Sequence, residues 1–523
     1  MESPPACTAA CFTSVEPLIL PARRSCRKFR CPADFVGPAR PAQGTSPLPH
    51  GRGSDLPPPG RRRRDFIPAC IACVCGRTCV GWRAARLKQA PPVRRTIMRR
   101  RDLLRCGAAA AVAVGVVYPS AGHEKPAAVR LGVIGVGGRG THLLGLALKQ
   151  GVEVPALCDI NEANLARAVG LVEKARDGRR PEAYSRGPTD YRRMLARDDL
   201  QAVLIATPMQ LHAPMAIDAL RAGKQVFSEV AAAITLDECW GLVRAAEETG
   251  KMYMLGENCC YWPHVMTILC MVRKGVFGDL TYAECGYVHD CRPIKFNTDG
   301  SLTWRGELAR DYTGNLYPTH SLGPVAHWLG INRGDRMASL VAMSTKAVGL
   351  HDWASRRFPE GHLARQVRFK VGDSTTVLIR TAKGAVIDLR YDVISARPHP
   401  TTTYYSLQGL RASYESRTES IWLDGRSASY KWEPLDNYAK EFEHPLWARW
   451  RAEAEGAGHL GGDFFVIREF LQAARTAGPS PIDACDAAAW SSIMPLSAKS
   501  IAEGGAPQEI PDFTRGKWET RTA

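Results

Sequence analysis

Apolar runs alternate with amphipathic stretches between residues 129 and 258. Runs that fit strands cover residues 131–134, 154–159, 201–207, 224–229 and 251–258. The run over 201–207 is continuously apolar, which is typical of a strand covered on both faces. Apolar residues at helical spacing predict helices over 161–174, 190–195 and 235–249. Strands and helices that alternate in this way predict an α/β fold with a parallel, doubly wound sheet.

The pattern changes after residue 280. Longer runs with β-branched residues predict strands over 280–288, 339–346, 374–381, 385–391 and 404–410. No helical pattern clearly separates the last three, so we expect an α+β domain with an open, largely antiparallel sheet. Helices are predicted near the end, over 464–474 and 484–499. An open sheet face offers a surface for self-association, so a homo-oligomer is a possible state.

A glycine motif follows the first predicted strand. Gly135, Gly137 and Gly140 fit the pattern G-x-G-x-x-G, and Asp159 ends the next strand. In a dinucleotide site the glycines permit the turn, the approach of backbone to a pyrophosphate and close helix packing, while the acid accepts from a ribose hydroxyl. A glycine-rich turn in another α/β protein is the alternative. The order of strand, glycines, helix, strand and acid favours a Rossmann domain that binds NAD, because a carboxylate would repel the 2′-phosphate of NADP.

Ligands of such sheets bind outside the carboxyl ends of the strands. Three predicted strands end in segments with polar residues, which are Met209 to His212, Glu229-Val230 and Glu257-Asn258. Any one of these residues could be an ordinary turn residue. Their shared position indicates that they line a cofactor cleft.

The candidate chemistry of the second half lies in the stretch from Gly314 to Pro324. If Pro318 sits in a first helical turn, Tyr317 and His320 are three residues apart and share one face. A phenol and an imidazole that converge on a cleft form a proton-transfer pair. The alternative is a buried, hydrogen-bonded histidine beside a packed tyrosine. Arg305 could hold a polar substrate group or form a surface ion pair.

The charge of the chain is concentrated at its beginning. The net charge is +17, and residues 1–125 hold 22 Lys and Arg against 7 Asp and Glu. The remaining chain is nearly neutral, which argues against a nucleic-acid enzyme. We therefore expect no nucleic-acid partner.

Residues 1–97 are rich in Pro, Arg, Gly and Cys and show little apolar periodicity. We interpret them as a disordered tail or as sequence upstream of the true start. Cys70, Cys73, Cys75 and Cys79 resemble half of a zinc site, but no histidine or second clean pair completes it, so we expect no metal. The run from Arg61 to Arg64 could be a nucleic-acid patch, and an unstructured tail explains it equally.

Residues 98–122 have the pattern of a signal peptide. A basic start with paired arginines precedes Asp102-Leu103-Leu104, and an apolar run and small residues follow. This arrangement is typical of a twin-arginine signal, which predicts export to the periplasm or the medium. The apolar run is too short for a stable membrane span. The folded part then divides into a Rossmann domain over 123–260 and a substrate-binding domain over 261–523.

The chain resembles the Gfo/Idh/MocA oxidoreductases, which join a Rossmann domain to an open-sheet domain. Ordinary members carry Glu-Lys-Pro after the fifth strand, and that lysine assists oxidation of a substrate hydroxyl. Here the segment reads Glu229-Val230-Ala231, and valine cannot exchange a proton. The resemblance therefore does not imply an ordinary dehydrogenase mechanism.

Within that superfamily the chain is similar to glycoside hydrolase family 109, the NAD-dependent α-N-acetylgalactosaminidases, over roughly residues 129–500. The most specific motif is Gly-Asn-Leu-Tyr-Pro-Thr-His over 314–320, and others are Gly-Gly-Arg-Gly over 137–140, Glu257-Asn-Cys and Asp486-Ala-Ala-Ala-Trp490. The resemblance implies dinucleotide contacts at Gly138, Arg139, Asp159, Met209, Gln210, Leu211, His212, Glu229, Val230 and Asn258. It implies sugar contacts at Tyr287, Arg305, Tyr317, Pro318, Thr319, His320 and Tyr405, with Tyr404 as an alternative to Tyr405. The family usually has tryptophan in place of Met209 and often proline in place of Ala231.

The resemblance also implies a mechanism in which NAD has a role. We find no pair of carboxylates that would flank a scissile bond, as ordinary glycoside hydrolysis requires. In the family's chemistry the sugar is oxidised at C3, the C2 proton is removed, the aglycone leaves from C1, water adds and the hydride returns. His320 would exchange the C3 hydroxyl proton, and Tyr317 or Tyr287 would work near C2. A sugar dehydrogenase that uses free NAD and a non-catalytic dinucleotide-binding protein are the alternative functions.

Overall fold

The computed structural model describes residues 128–398 and 403–521. The predicted tail over 1–97, with its cysteine cluster and arginine run, and the predicted signal over 98–122 lie outside the described residues. The domain boundary at residue 260 stays a prediction. None of the helices among the described residues has the length and apolar character that a membrane span requires.

The first sheet has six strands within the described residues, and all neighbouring pairs are parallel. The spatial order is β3-β2-β1-β4-β5-β6. The strands are β1 (Arg130–Ile134), β2 (Glu153–Cys158), β3 (Glu182–Tyr184), β4 (Ala202–Ile205), β5 (Gln225–Ser228) and β6 (Tyr253–Leu255). All four residues of β4 are buried, as its apolar sequence predicts. The predicted doubly wound parallel sheet is confirmed.

A helix connects each strand of this sheet to the next, and one more helix follows the last strand. They are α1 (Gly138–Lys149), α2 (Glu162–Ala175), α3 (Tyr191–Leu195), α4 (His212–Arg221), α5 (Leu236–Thr249) and α6 (Pro263–Arg273). Helix α5 has sharp ends, because Thr235 and Glu238 form a capping box at its start and Gly250 takes a left-handed conformation after it. These end groups satisfy backbone groups that the helix itself leaves unpaired.

The second sheet has nine strands among the described residues, in the order β14-β13-β12-β11-β7-β10-β9-β8-β15. They are β7 (Leu280–Val288), β8 (Met337–Ser344), β9 (Thr375–Thr381), β10 (Val386–Asp392), β11 (Thr403–Gly409), β12 (Ala412–Glu415), β13 (Ser420–Leu423), β14 (Glu433–Pro434) and β15 (Gln508–Glu509). Only β7 and β10 pair in parallel within this described sheet. The predicted open, largely antiparallel sheet is confirmed. Residues of β9 are alternately buried and exposed, so one face is open, and self-association through it stays a prediction.

The remaining helices cover the second sheet or return to the first. They are α7 (Trp304–Asp311), α8 (Thr319–Trp328), α9 (Gly349–Arg357), α10 (Asp436–Ala439), α11 (Pro445–Ala454), α12 (Gly462–Thr476), α13 (Ala484–Ser491) and α14 (Ile493–Ala502). The prediction of one helix over 484–499 is wrong, since the helix is interrupted at Ser492. Pro495 has no N–H to donate to the carbonyl of Ser491, which explains the interruption.

Helix α8 brings the two sheets together at the site. Its residue Leu322 belongs to the same buried cluster as Leu131 of β1 and Leu407 of β11. Trp328, at the other end of α8, donates from its indole N–H to the carbonyl of Val265 in α6, 3.0 Å away. This bond holds the end of α8 against α6.

Candidate active site

At two positions of the motif a side chain would collide with the backbone, so glycine is required there. Gly135 has a φ of +83°, and a Cβ there would lie 2.8 Å from the backbone of Ala206. A Cβ on Gly140 would lie 1.9 Å from the carbonyl oxygen of Gly135. Because real Cβ atoms do not approach backbone so closely, only glycine fits the turn and the helix that follows it.

The loop leaves room where a dinucleotide would pass. A Cβ on Gly137 would meet one side-chain atom at 3.9 Å, and a Cβ on Gly138 would meet nothing within 4 Å. No side chain caps the start of α1, and its first turn holds no acidic residue. The free N–H groups and the positive end of the helix dipole suit a pyrophosphate at this position.

Asp159 holds the glycine loop from the end of β2. Its two carboxylate oxygens accept from the backbone N–H groups of Val136 and Asn161, each at 2.8 Å. A carboxylate has further lone pairs, so this geometry leaves Asp159 able to accept from a ribose hydroxyl. The side chain thus lies where the sequence motif predicts.

The end of β4 holds polar atoms that have no protein partner. The Thr207 hydroxyl and the Gln210 amide oxygen are buried and lack a hydrogen-bond partner among the described residues. Buried polar groups are normally paired. Orphaned groups beside the glycine loop therefore fit a bound dinucleotide that would supply the missing partners.

The other residues of that segment have different roles. Met209 is buried, and Leu211 is the more exposed side chain at 37%. Both ring nitrogens of His212 lie 2.8 Å from carbonyl oxygens, those of Thr207 and Ala231. Burial lowers the pKa of His212, although these carbonyls oppose the change. The ring therefore clamps two loops together and does not face a ligand.

The guanidinium of Arg139 joins two carboxylates. It donates two hydrogen bonds of 2.8 Å to Asp463 and one of 2.9 Å to Glu229. The amide of Asn258 also donates to Asp463, at 2.7 Å. Arg139, Glu229 and Asn258, which the sequence assigned to the cofactor, thus belong to one hydrogen-bonded network. Its fourth member, Asp463, was not predicted.

Asp463 is a strongly stabilised anion. Burial alone would raise its pKa, but the imidazoles of His142 and His459 and the guanidinium of Arg139 hold the pKa well below its usual range. His142 and His459 lie 3.0 and 2.8 Å from the same carboxylate oxygen. The network ties the start of α1 to the start of α12 and so fixes the wall of the cleft.

Val230 and Ala231 occupy the place where a dehydrogenase lysine would be expected. Both are buried, at 3% and 0% exposure. Neither side chain can exchange a proton. The proton chemistry of this site must come from another element.

His320 and Glu257 form a hydrogen-bonded pair of ionisable groups on two other elements. The Nδ1 atom of His320 lies 2.7 Å from the Oε1 atom of Glu257, which also accepts from the backbone N–H of Cys259 at 3.1 Å. Burial would lower the pKa of His320, but the carboxylate of Glu257 outweighs it and the pKa is raised. An ionised Glu257 makes Nδ1 the protonated nitrogen and leaves the Nε2 lone pair available. The sequence placed Glu257 in a segment expected to line the cofactor cleft but gave it no role in proton transfer.

Glu257, Cys259 and His320 also offer three ligand-type atoms within 4.8 Å of one another. Burial raises the pKa of the Cys259 thiol well above its ordinary value. A metal ion would have to displace the proton in the bond between His320 and Glu257. The hydrogen bonds within the cluster account for its geometry.

Tyr287, Tyr317 and His320 form an aromatic cluster. The ring centroids of Tyr317 and His320 are 5.0 Å apart, and the ring of Tyr287 lies 5.3 Å from Tyr317 and 5.7 Å from His320. Pro318 precedes the first residue of α8 and has helical angles, so the expected convergence of Tyr317 and His320 is present. Burial raises the pKa of both tyrosines, and both are phenols at neutral pH.

A cavity of about 90 Å³ connects this cluster with the cofactor segment. Met209 lines it from the first sheet, and Tyr287, Arg305 and Tyr317 line it from the second domain. Lys295, which the sequence analysis missed, lines it as well. Pro318 and Thr319 are buried behind the cavity and are not among the described residues that line it.

A larger groove, of about 1230 Å³, lies elsewhere. Side chains of α5, α6 and α13 line it, and no residue predicted for the site is among them. Its size alone does not make it the site, because Met209, Tyr287 and Tyr317 line the smaller cavity, and the ring of Tyr317 lies 5.0 Å from that of His320.

The structure does not place Tyr405, predicted to contact the sugar, in the described lining of the cavity. Its side chain is fully buried, and its hydroxyl donates to the carbonyl oxygen of His320 at 2.7 Å. Pro324 lies four residues after His320 within α8 and has no N–H for that carbonyl. Tyr405 replaces this missing donor. Tyr404 lies next to it on β11 and has its ring 3.5 Å from the guanidinium of Arg417, and it too is absent from the described cavity lining.

Comparisons with known proteins identify both halves of the chain. Residues 129–257 match the family model described as oxidoreductase family, NAD-binding Rossmann fold, and residues 261–520 match the model described as glycosyl hydrolase 109, C-terminal domain. A glycosyl hydrolase family 109 protein of Solibacter usitatus (strain Ellin6076) is 39% identical over 434 residues, which cover 81% of this chain and 98% of the relative. An α-N-acetylgalactosaminidase of Tannerella forsythia is 36% identical over 410 residues, 75% of this chain and 87% of the relative.

Solved structures support the fold. A levoglucosan dehydrogenase in complex with NADH has a TM-score of 0.56 and 18% sequence identity, and the match covers 74% of this chain and 100% of that one. The Rossmann domain and the resemblance identified from the motifs are confirmed, and the cofactor is NAD. The chain belongs to glycosyl hydrolase family 109.

Proposed function

We propose that this protein is an NAD-dependent glycosidase that removes terminal α-N-acetylgalactosamine or a related sugar. The observation that carries the proposal is the cavity that joins Met209, at the cofactor edge, to Tyr287, Arg305 and Tyr317. A sugar in this cavity would lie between the dinucleotide and the His320 ring. Relatives named α-N-acetylgalactosaminidase support the sugar class.

Bound NAD supplies a reversible hydride acceptor, which allows the sugar to be oxidised at C3 and later restored. His320 takes the proton of the C3 hydroxyl through its Nε2 atom. Glu257 holds the ring in the tautomer with Nδ1 protonated and raises the pKa of His320, which makes Nε2 a stronger base.

A ketone at C3 acidifies the C2 proton, so the aglycone can leave from C1 by elimination and water can then add. Tyr317 or Tyr287 works near C2. Both phenols face the cavity beside His320. Arg305, whose guanidinium lies 4.1 Å from the ring centroid of Trp304, orients the sugar.

The test uses the full chain with NAD and an aryl α-N-acetylgalactosaminide in D₂O. We expect release of the aglycone without net NADH, and deuterium at C2 of the released sugar. Steady NADH accumulation would instead indicate a sugar dehydrogenase. No release from any of a panel of aryl glycosides would indicate a non-catalytic dinucleotide-binding protein.

His320→Ala tests the proton carrier. We expect turnover to fall by at least about 10²-fold while NAD stays bound. Tyr287→Phe and Tyr317→Phe, compared by the rate of deuterium exchange at C2, identify the tyrosine that works there. Unchanged turnover in His320→Ala would remove His320 from the mechanism.

We also propose export through residues 98–122. The paired arginines, the apolar run and the small residues that follow support a twin-arginine signal. Replacing Arg99, Arg100 and Arg101 by lysine keeps the charge and removes the motif. A reporter fused behind this segment should then stay in the cytoplasm, and continued export of the lysine form would argue against the twin-arginine route.

A further inference from the structure

Lys295 is a buried cation that the proposed reaction does not use. Its side chain is 5% exposed and lines the cavity next to Tyr287. Among the described residues it forms no ion pair. Burial lowers the pKa of Lys295 to about 8, and Arg305 contributes to the lowering. An ammonium group in such a place is costly unless an anion compensates it.

Arg305 adds a second cation to the same cavity. In the described part of the chain the guanidinium of Arg305 lies over the ring of Trp304 and forms no ion pair with Asp or Glu. None of the described residues that line the cavity is Asp or Glu. The site therefore has two positive groups and no negative side chain of its own.

The acids close to the cavity are already paired. Glu229 binds Arg139, with 2.8 Å between the closest atoms, and Glu257 binds His320 at 2.7 Å. Asp290 forms an ion pair of 2.7 Å with Arg292, next to the cavity wall. These carboxylates compensate other cations, so they do not balance Lys295 and Arg305.

We propose, on the basis of the proposed glycosidase function, that the sugar in this cavity carries an oxyanion substituent, a carboxylate or a sulfate ester, which Lys295 and Arg305 bind together. The hydroxyl groups of a neutral sugar would accept hydrogen bonds from the ammonium of Lys295 and the guanidinium of Arg305. They would leave the two positive charges uncompensated. An oxyanion accepts charge-assisted hydrogen bonds from both. Lys295 is thus a specificity residue for the charged substituent.

The experiment measures binding by calorimetry, with the full chain saturated with NAD. The probes are galactose, galacturonate and galactose 6-sulfate, so the two charged sugars separate the carboxylate from the sulfate. We expect at least one charged sugar to bind about tenfold more tightly than galactose, which corresponds to about 1.4 kcal/mol. Equal affinity for all three sugars would overturn the proposal.

Lys295→Met should remove this preference, and Arg305→Met should weaken it. Lys346→Met is the matched control, because Lys346 is exposed and lies outside the cavity lining. A preference that survives in both cavity variants would overturn the proposal. If thermal melting shows that Lys295→Met does not fold, the sugar preference of Arg305→Met alone tests the proposal.

The calorimetric assay measures sugar binding and not cleavage, so its result can be distinguished from a test of the proposed glycosidase activity. Cleavage of a neutral aryl glycoside with no preference for charged sugars would support the glycosidase and overturn the oxyanion site. Tight binding of a charged sugar with no cleavage of any glycoside would support the oxyanion site and overturn the glycosidase. If Lys295→Met stops cleavage of neutral glycosides, Lys295 is a proton carrier rather than a specificity residue.

Discussion

The imidazole of His320 and the carboxylate of Glu257 are 2.7 Å apart, although 63 residues separate them in the chain. Glu257 follows β6 of the Rossmann sheet, and His320 lies in the first turn of α8 on the second sheet. The proton-transfer pair is therefore completed only when the two halves of the chain pack. This is how the site acquires a base although the segment after β5 has no lysine.

Glu257→Gln should weaken that base. An amide cannot stabilise the charged imidazole, so the pKa of His320 should fall toward or below its ordinary value because burial then dominates. The low-pH limb of the kcat profile should move to lower pH, and kcat at its plateau should fall by about 10²-fold or more. The measurement is kcat against pH, with the exposed Glu360→Gln as control. An unmoved midpoint would contradict the assignment.

Gly140→Ala should impair NAD binding. The new Cβ would lie 1.9 Å from the Gly135 carbonyl oxygen, so the loop must move away from the position that suits a pyrophosphate. We expect the NAD affinity to fall by roughly tenfold or more, together with a loss of stability of about 1–3 kcal/mol. Binding is measured by quenching of protein fluorescence.

Gly145→Ala is the matched control, since Gly145 lies in the same helix and a Cβ there meets nothing within 4 Å. It should leave NAD binding unchanged and stabilise the protein by about 0.5–1 kcal/mol. If Gly140→Ala binds NAD as tightly as this control, the steric argument for the motif fails.

The periodic parts of the fold could be predicted from sequence. Strand β7 begins and ends where its apolar pattern predicts, at Leu280 and Val288. The short strands β12 to β14 and helices α9 to α11 were not predicted, because their patterns are too short or too polar to be distinguished from loops. The break at Ser492 depends on Pro495, a local signal that was present in the sequence and was overlooked.

Local motifs gave the glycine loop, Asp159 and the pairing of Tyr317 with His320. The contacts of Asp463 could not be found in this way, because they depend on residues distant in the chain. Asp463 accepts a hydrogen bond from Arg139, which lies 324 positions earlier in the sequence. The hydrogen bond from Tyr405 to the His320 carbonyl was not predicted, because no side-chain motif reveals a backbone partner.

Tyr405→Phe should affect stability rather than sugar binding. The change removes the hydroxyl that satisfies the His320 carbonyl, so the free energy of unfolding should fall by about 1–3 kcal/mol. KM for an aryl glycoside should stay within about twofold of the wild type, because Tyr405 is absent from the described cavity lining. Tyr404→Phe, the neighbouring tyrosine of β11, is the control. A large rise of KM in Tyr405→Phe alone would restore Tyr405 to the sugar site.

Lys295→Met should stabilise the ligand-free protein at pH 7. The pKa of Lys295 is about 8 when folded and 10.5 ordinarily, so the unfolded chain holds the proton more tightly, which costs the native state up to about 3 kcal/mol below pH 8. This cost disappears as the pH rises from 8 to about 10.5, so the advantage of the variant should shrink over that window. Cys291, Tyr287 and Arg305 face the same cavity. Burial raises the pKa of the Cys291 thiol and the charge of Lys295 lowers it, so this thiol also titrates differently in the variant. The free energy of unfolding of both proteins is measured with denaturant at pH 7 and pH 9.5. A difference between the proteins that does not change with pH would show that folding leaves the pKa of Lys295 unchanged.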